Sequence, residues 1–240
     1  MATIKEVGKR LVVETTRYNA AVATEGYVSG VAEGSFIDKT TGSRDPGFGL
    51  LIADFLLQPT PELPNTPMDR AYPLHDAYHG DIVKRYVALP QICTRAGSLP
   101  HEVTEGPGFV AVRQWYTWNV PCPPYGAGSK WEQTLLFPDD RRWFVSWDRF
   151  QCADDVPAVM LRLDMPGHIK HHGGDVFRQV YLSYAGSIPQ FEFHQNFPPD
   201  GKYLYRRDDR HMPRRFIRAY QLDNGVWLGG MTLEIGRAHV

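Results

Sequence analysis

Short runs of β-branched and aromatic residues recur along this chain, and Gly, Pro, Asn and Asp interrupt them at short intervals. This spacing is typical of antiparallel sheets, because each run suits one strand and each interruption supplies a turn. Proline or glycine also breaks almost every window in which a helix would otherwise fit. The candidate strands are Arg10–Thr16, Val28–Phe36, Gly49–Leu57, Phe109–Asn119, Trp131–Phe137, Arg142–Arg149, Val159–Leu163, Val176–Tyr184, Phe216–Leu222 and Val226–Leu233. The pattern predicts an all-β fold, a large antiparallel β-sandwich with few short helices.

The run Phe109–Asn119 shows the clearest alternation. Successive side chains of a strand point to opposite faces, so Val110, Val112 and Gln114 share one face while Arg113 and Trp115 share the other. Aromatic residues occur on both faces. We therefore expect one face to lie in the core and the other to line a groove, although burial of both faces in a dimer would give the same pattern.

Two segments lack the strand pattern. The proline-rich stretch Gln58–Pro73 is predicted to be a long surface excursion, because its prolines prevent a continuous ladder or helix. The segment Val120–Ser129 (VPCPPYGAGS) is predicted to be an extended hairpin loop between two strands.

A length of 240 residues is compatible with one large β domain, so we predict a single sandwich domain over 1–233. The last residues, Glu234–Val240 (EIGRAHV), have no alternation and can be back-translated into DNA that resembles the start of a sequencing adapter. This interpretation makes 234–240 an adapter-derived tail on a metagenomic fragment whose native C-terminus is truncated. The alternative is an ordinary irregular terminus.

Charge and composition exclude some classes of partner. The formal net charge is −1, so the chain lacks the basic surplus expected of proteins that bind nucleic acid or an anionic membrane. No apolar stretch is long enough to span a membrane, and the first residues do not resemble a secretory signal, which predicts a cytoplasmic protein. The three cysteines are widely spaced without a CxxC pair, so we expect reduced thiols.

Two loop clusters carry groups suited to acid–base chemistry. One contains Asp164, His168 and His171 in a Gly-rich segment, and the other contains His79 followed by Lys84 and Arg85. Imidazole titrates near neutral pH and also binds divalent metals, so each cluster fits either a proton carrier or a metal ligand. A polysaccharide lyase needs such a base beside a cation that neutralises a uronate. The alternative for both clusters is a solvated loop of mixed charge.

Polar residues inside predicted strands are the stronger signal, because a charged side chain within an apolar strand is costly unless it faces a groove or a partner. The residues of this kind are Arg113, Glu132, Asp148, Arg162 and Asp164, and Trp115 and Trp131 lie near them in the sequence. Tryptophan faces beside Arg and carboxylates suit a sugar site. The alternative is that these tryptophans belong to the core.

Several blocks of sequence carry a resemblance to known proteins. They are Gly34–Gly42 (GSFIDKTTG), Asp45–Leu50 (DPGFGL), Pro90–Thr94 (PQICT), Trp131–Pro138 (WEQTLLFP), Asp164–Lys170 (DMPGHIK) and Phe216–Tyr220 (FIRAY). Together they resemble a family of uncharacterised bacterial proteins from environmental genomes, and the resemblance covers nearly all of the chain up to Leu233. The order of strands is also similar to the β-supersandwich of galactose-mutarotase-like proteins. Neither resemblance implies a catalytic residue.

From these features we predict a carbohydrate-active enzyme, a polysaccharide lyase, epimerase or hydrolase, with its sugar bound in a groove of the sheet. The predicted catalytic residues are His79, Arg113, Arg162 and His168. The predicted substrate-binding residues are Lys84, Arg85, Trp115, Trp131, Glu132, Asp164 and His171. No cofactor is expected, and the partner is a carbohydrate. The alternatives are a non-catalytic glycan-binding or interaction module and a metal-dependent cupin-like enzyme that uses a divalent metal.

Overall fold

We analysed a computed structural model that describes residues 1–25, 29–32, 34–44, 48–57, 69–72, 84–88, 98–121, 123–156, 158–164, 177–183, 186–188, 215–222 and 225–232. Within these ranges the regular structure consists of β-strands and contains no helix. The strands are β1 (Thr3–Val7), β2 (Arg10–Glu14), β3 (Tyr18–Ala23), β4 (Ser29–Val31), β5 (Ile37–Asp38), β6 (Phe48–Leu57), β7 (Asp69–Tyr72), β8 (Lys84–Ala88), β9 (His101–Gly106), β10 (Phe109–Thr117), β11 (Lys130–Pro138), β12 (Val145–Gln151), β13 (Ala158–Asp164), β14 (Phe177–Leu182), β15 (Gly186–Ile188), β16 (Phe216–Leu222) and β17 (Trp227–Thr232).

The chain divides into two compact units. The first contains Met1–Leu56, Val87–Gly167 and Val240, and the second contains Leu57–Tyr86 and His168–His239. Two antiparallel sheets form the first unit. In the first sheet the order is β1-β2-β3-β4-β6, with β5 also paired to β3 and β13 to β6. In the second sheet the order is β12-β11-β10-β9.

The interior of the first unit lies between these two sheets. The first sheet and its loops contribute Leu11, Val13, Tyr18, Ala20, Val22, Val31 and Phe36, and the second sheet contributes Val112, Leu135 and Phe137. The Tyr18 and Phe36 rings stack with their centroids 4.6 Å apart. Because one face of each sheet contributes to a single apolar cluster, the architecture is a sandwich. The predicted all-β antiparallel sandwich is confirmed for the described residues.

The second unit contains a four-stranded antiparallel sheet with the order β15-β14-β16-β17. Val180 and Leu182 are buried on one face of β14, whereas Tyr181 between them is exposed. The short strand β7 also lies in this unit and pairs with β8, of which residues 84–86 belong to the same unit.

Several predicted strands have the bounds that the sequence indicated. Phe216–Leu222 agrees at both ends, and Gly49–Leu57 and Trp131–Phe137 differ by one residue at one or both ends. Val28–Phe36 was predicted too long, since the strand there is Ser29–Val31. The sequence prediction missed β1, β3, β5, β7, β8, β9 and β15.

One loop prediction is confirmed and the other is partly wrong. Val120–Ser129 joins β10 to β11 as a hairpin loop, and the Trp118 N–H donates to Ser129 O over 2.9 Å at its base. The excursion Gln58–Pro73, by contrast, includes the ladder strand β7. A proline removes a hydrogen bond from the ladder only at its own position, and Asp69–Tyr72 contains no proline. Residues 58–68 and 233–240 lie outside the described residues, so the tail and the single-domain boundary stay predictions.

Candidate functional site

The side of the second sheet that points away from the core carries a group of polar and aromatic residues. Along β10 the residues Val110, Val112 and Gln114 are buried in the sandwich, while Arg113 is exposed on the opposite side. The same alternation in β11 and β12 turns Glu132, Trp147 and Arg149 outwards. We call this side the outer face, and its residues are Glu102, Arg113, Trp115, Lys130, Glu132, Thr134, Trp147 and Arg149.

Arg113 lies between two carboxylates of the outer face. Its Nη1 donates to Glu102 Oε2 over 3.0 Å and its Nη2 donates to Glu132 Oε2 over 2.6 Å. The guanidinium carbon also lies 5.2 Å from the centre of the Trp115 ring, which is within the range of a cation–π contact. The neighbouring strands β9 and β11 therefore hold the arginine at both terminal nitrogens, and Trp115 of its own strand covers one planar face.

These contacts keep the outer face ionised at neutral pH. The hydrogen bond from Arg113 lowers the pKa of Glu132 against a smaller opposing effect of burial, and the positive charges of Arg113 and Arg149 lower it further. The hydrogen bonds to Glu132 and Glu102 raise the pKa of Arg113. Glu132 is therefore an anion in the middle of the sheet, with a cation on either side of it.

The ladder register fixes how the tryptophans and arginines alternate. Trp115 on β10 pairs with Glu132 on β11, and Glu132 pairs with Arg149 on β12. In the adjacent row, Arg113 pairs with Thr134, and Thr134 pairs with Trp147. Trp115 and Trp147 therefore occupy opposite corners of a rectangle, with the two arginines at the other corners. Trp147 is 55% exposed, which leaves its ring accessible to a ligand.

A second polar row crosses the same strands on the core-facing side. Gln114 pairs with Gln133, Gln133 pairs with Asp148, and both glutamines are fully buried. Gln133 lies 3.1 Å from Asp148 Oδ1, and the Ser146 hydroxyl donates to Asp148 Oδ2 over 2.7 Å. Burial raises the pKa of the Asp148 carboxyl, although hydrogen bonds from Ser146 and Trp131 oppose this effect. The two glutamines face the interior and offer no surface to a ligand.

Trp131 belongs to this interior row. It is 0% exposed, and its indole Nε1 donates to Asp148 Oδ1 over 3.0 Å. Because Trp131 immediately precedes Glu132 in β11, the two side chains point to opposite sides of the sheet. Of the predicted site residues, the structure thus brings the catalytic candidate Arg113 together with the substrate-binding candidates Trp115 and Glu132, and it separates Trp131 from them.

The other predicted site residues are located only by their backbone or lie outside the described ranges. Arg162 and Asp164 are in β13, where they pair with Ile52 and Gly49, and a bulge falls between Arg162 and Leu163. Lys84 and Arg85 begin β8. The predicted proton carriers His79 and His168, together with His171, lie outside the described residues.

The sequence analysis did not select Glu102, Trp147 or Arg149. The alternation in VSWDRFQ (Val145–Gln151) places Trp147 and Arg149 on one face and was a usable signal. Their position opposite Arg113 and Glu132 depends on the register of the sheet, which no local pattern specifies. Glu102 is in β9, a strand whose largely polar sequence gave no strand signal.

Within the described residues, no group of three or more His, Cys, Asp and Glu side chains is arranged to hold a metal ion. The predicted divalent metal would have used the undescribed histidines, so it stays a prediction. Over the same ranges, no helix has the length and apolar character needed to cross a membrane.

Comparisons with known proteins identify one distant relative and no family. The chain is 26% identical over 121 residues to "Uncharacterized protein 075L" of Invertebrate iridescent virus 6, an alignment that spans 50% of this chain and 43% of the viral protein. The chain therefore matches less than half the length of that relative. No family model matches the chain, and no solved structure matches it.

Proposed function

We propose that the protein binds carbohydrate on the outer face of its second sheet. The observation that supports this proposal most directly is the diagonal pair Trp115 and Trp147, which flanks the charged residues on an open side of the sheet. A sugar ring presents apolar C–H groups on its faces and hydroxyls at its edge. A site for it therefore needs both an aromatic surface and nearby hydrogen-bonding groups.

The charged residues between the tryptophans supply such hydrogen-bonding groups. The Glu132 carboxylate accepts from Arg113 at one oxygen and retains further lone pairs for hydroxyl donors. Arg149, exposed on the edge strand β12, offers guanidinium donors in a fixed planar arrangement. Adjacent hydroxyls of a sugar can therefore donate to the carboxylate and accept from the guanidinium at the same time.

This proposal corresponds to the glycan-binding alternative of the sequence analysis. The described outer face offers binding groups, whereas the enzymatic hypothesis depends on His79 and His168, which lie outside the described residues. The lyase, epimerase and hydrolase activities therefore stay predictions, as do the cytoplasmic location, the bacterial origin and the likeness to galactose-mutarotase-like proteins.

Replacement of Trp147 by alanine tests the proposal. We expect Trp147→Ala to weaken glycan binding by about tenfold or more, which corresponds to ~1.4 kcal/mol, because it removes one of the two stacking surfaces. Binding is measured by isothermal titration calorimetry against a panel of neutral and acidic oligosaccharides. Trp143→Ala is the matched control, since Trp143 is 49% exposed but precedes β12 and lies outside the paired rows that hold Trp115 and Trp147. Equal affinity of Trp147→Ala and the wild type for every glycan that binds would refute this location of the site.

A further inference from the structure

We propose that the ligand of the outer face is a neutral oligosaccharide that contacts both tryptophans, and not an acidic glycan. This inference rests on the proposed function and specifies its ligand class. It narrows the sequence-based expectation, which also allowed a uronate neutralised by a cation, to neutral sugars.

The first step is that Arg113 already has anionic partners. Glu102 and Glu132 occupy its two terminal nitrogens at 3.0 Å and 2.6 Å, and Trp115 covers one face of the guanidinium. A uronate carboxylate is recognised by the same two nitrogens in a bidentate arrangement. At Arg113 it would therefore have to displace a glutamate of the protein, and the exchange of one carboxylate for another brings little net gain.

The second step is the charge that a ligand would meet at the centre of the outer face. Glu132 is held in its ionised form by Arg113 and lies midway between β10 and β12. The nearby arginines offset its charge. Lys130, two residues before Glu132 on β11, adds a positive charge at the margin of the outer face. Around the tryptophans the anions Glu102 and Glu132 balance the cations Arg113 and Arg149. A glycan carboxylate placed beside Glu132 would therefore gain no net attraction there to offset the cost of its desolvation. Neutral hydroxyls would find both an acceptor and donors there.

The third step concerns the length of the ligand. Trp115 and Trp147 are separated by β11, which amounts to two interstrand spacings or about 10 Å across the sheet, with a further offset along the strands. This separation is greater than the width of one pyranose ring. A monosaccharide therefore stacks on one tryptophan only, whereas a chain of sugars reaches both and gains from the linkage of two contacts.

The test compares neutral and acidic oligosaccharides of matched length on the full chain. Calorimetric titrations use gluco-, xylo- and manno-oligosaccharides and oligogalacturonates, each from the monosaccharide upwards. We expect at least one neutral series to bind, with affinity that rises with length until both tryptophans are covered. We expect the oligogalacturonates to bind about tenfold more weakly than that series or not at all.

A variant that removes the charge of Glu132 distinguishes its electrostatic effect on an acidic glycan from poor shape complementarity between that glycan and the outer face. Glu132→Gln keeps the size of the side chain and removes its charge, so we expect oligogalacturonate binding to improve several-fold relative to the wild type. Glu105→Gln is the matched control, because Glu105 is exposed on β9 but pairs with Val110, on the other side of the sheet. It should leave the preference between neutral and acidic ligands unchanged. Circular dichroism and thermal melting verify that both variants are folded.

The outcomes distinguish the two proposals. Tighter binding of oligogalacturonates than of all neutral series would overturn the neutral-ligand inference and leave the proposed function standing. Equal affinity for monosaccharides and longer neutral chains would overturn the contact with both tryptophans. If neither class binds, the proposed function fails and the inference fails with it.

Discussion

Asp148 is an acidic side chain that the sandwich holds on its core-facing side, and its hydrogen bonds indicate how the interior accommodates it. Gln114 satisfies both ends of its amide when its nitrogen donates to Ala23 O and its oxygen accepts from Gly30 N–H, each over 3.2 Å. Gln133 must then turn its nitrogen towards Gln114, so its oxygen faces Asp148 Oδ1. Two facing oxygens need a proton between them, and a protonated Asp148 supplies it.

The raised pKa of Asp148 agrees with this arrangement and has a defined effect on stability. A carboxyl whose pKa is higher in the folded than in the unfolded protein stabilises the fold fully below the unfolded value, about 3.9. Its contribution is lost as the pH rises through the folded-state pKa. We expect Asp148→Asn to abolish this loss, because the amide cannot ionise at any pH of the titration.

Urea unfolding at a series of pH values from 4 to 9 measures the effect. The stability of Asp148→Asn relative to the wild type should increase as the pH rises, because only the wild type gains a buried charge. Asp155→Asn, at an exposed position after β12, is the control and should show no such trend. A constant difference between Asp148→Asn and the wild type at all pH values would contradict a buried proton on Asp148.

At the scale of elements, the hairpin of β9 and β10 sets the register of the outer face. Gly106 and Phe109 are paired across the turn, and Pro107 and Gly108 form its corner. Gly108 has φ +81°, the left-handed value that position i+2 of a type II turn requires after proline at i+1. The turn therefore determines that Arg113 lies opposite Glu102.

We expect Gly108→Ala to destabilise the protein by about 1 kcal/mol, because a Cβ is strained at a positive φ even where space is open. Urea denaturation at neutral pH measures the loss. Gly229→Ala is the control, since a Cβ on Gly229 in β17 also meets no atom within 4 Å but no positive φ is required there. A Gly108→Ala protein as stable as the control would mean that the turn does not need its left-handed residue.

The same elements indicate how far sequence reasoning reaches. It located β10, β11 and β16 because their apolar residues alternate clearly, and it placed Arg113 and Trp115 on one face for the same reason. It missed β3, whose sequence YNAAVA is rich in alanine, a residue of low strand propensity that is buried here by the opposite sheet. Cross-strand neighbours such as Trp147 and Thr134 depend on register, which the loops and turns determine over long separations in sequence.

At the scale of the whole first unit, one ion pair links the two sheets from outside the apolar cluster. Asp38 ends β5 of the first sheet, and Arg142 lies in the turn between β11 and β12 of the second. Arg142 Nε donates to Asp38 Oδ1 over 3.0 Å, and its Nη2 pairs with Oδ2. The Thr41 hydroxyl and the Thr40 N–H also donate to the same carboxylate. The sandwich is therefore closed at this end by a carboxylate with several donors.

These contacts predict how the unit responds to acid. Burial alone would raise the pKa of Asp38, but the hydrogen bonds from Arg142, Thr41 and Thr40 and the Arg142 charge lower it to about 2. A carboxyl with a lowered folded-state pKa stabilises the fold above its unfolded value, about 3.9, and loses this contribution as the pH falls through about 2. Because Arg142 is half exposed, we expect solvent screening to limit its contribution to on the order of 1 kcal/mol.

Arg142→Leu should therefore lower the free energy of unfolding by on the order of 1 kcal/mol at pH 7, and the difference from the wild type should disappear towards pH 2. Chemical denaturation followed by tryptophan fluorescence at both pH values measures it. Arg141→Leu is the neighbouring control, because Arg141 meets only the exposed Asp140, at 3.5 Å, and such surface pairs contribute little. Equal losses of stability for the two variants at pH 7 would mean that the ion pair between Arg142 and Asp38 does not stabilise the sandwich. A deficit of Arg142→Leu that persists unchanged in acid would mean the same. A deficit confined to Arg142→Leu and to the pH range in which Asp38 is ionised would instead mean that the sandwich derives part of its stability from this charged contact as well as from the apolar cluster between its sheets.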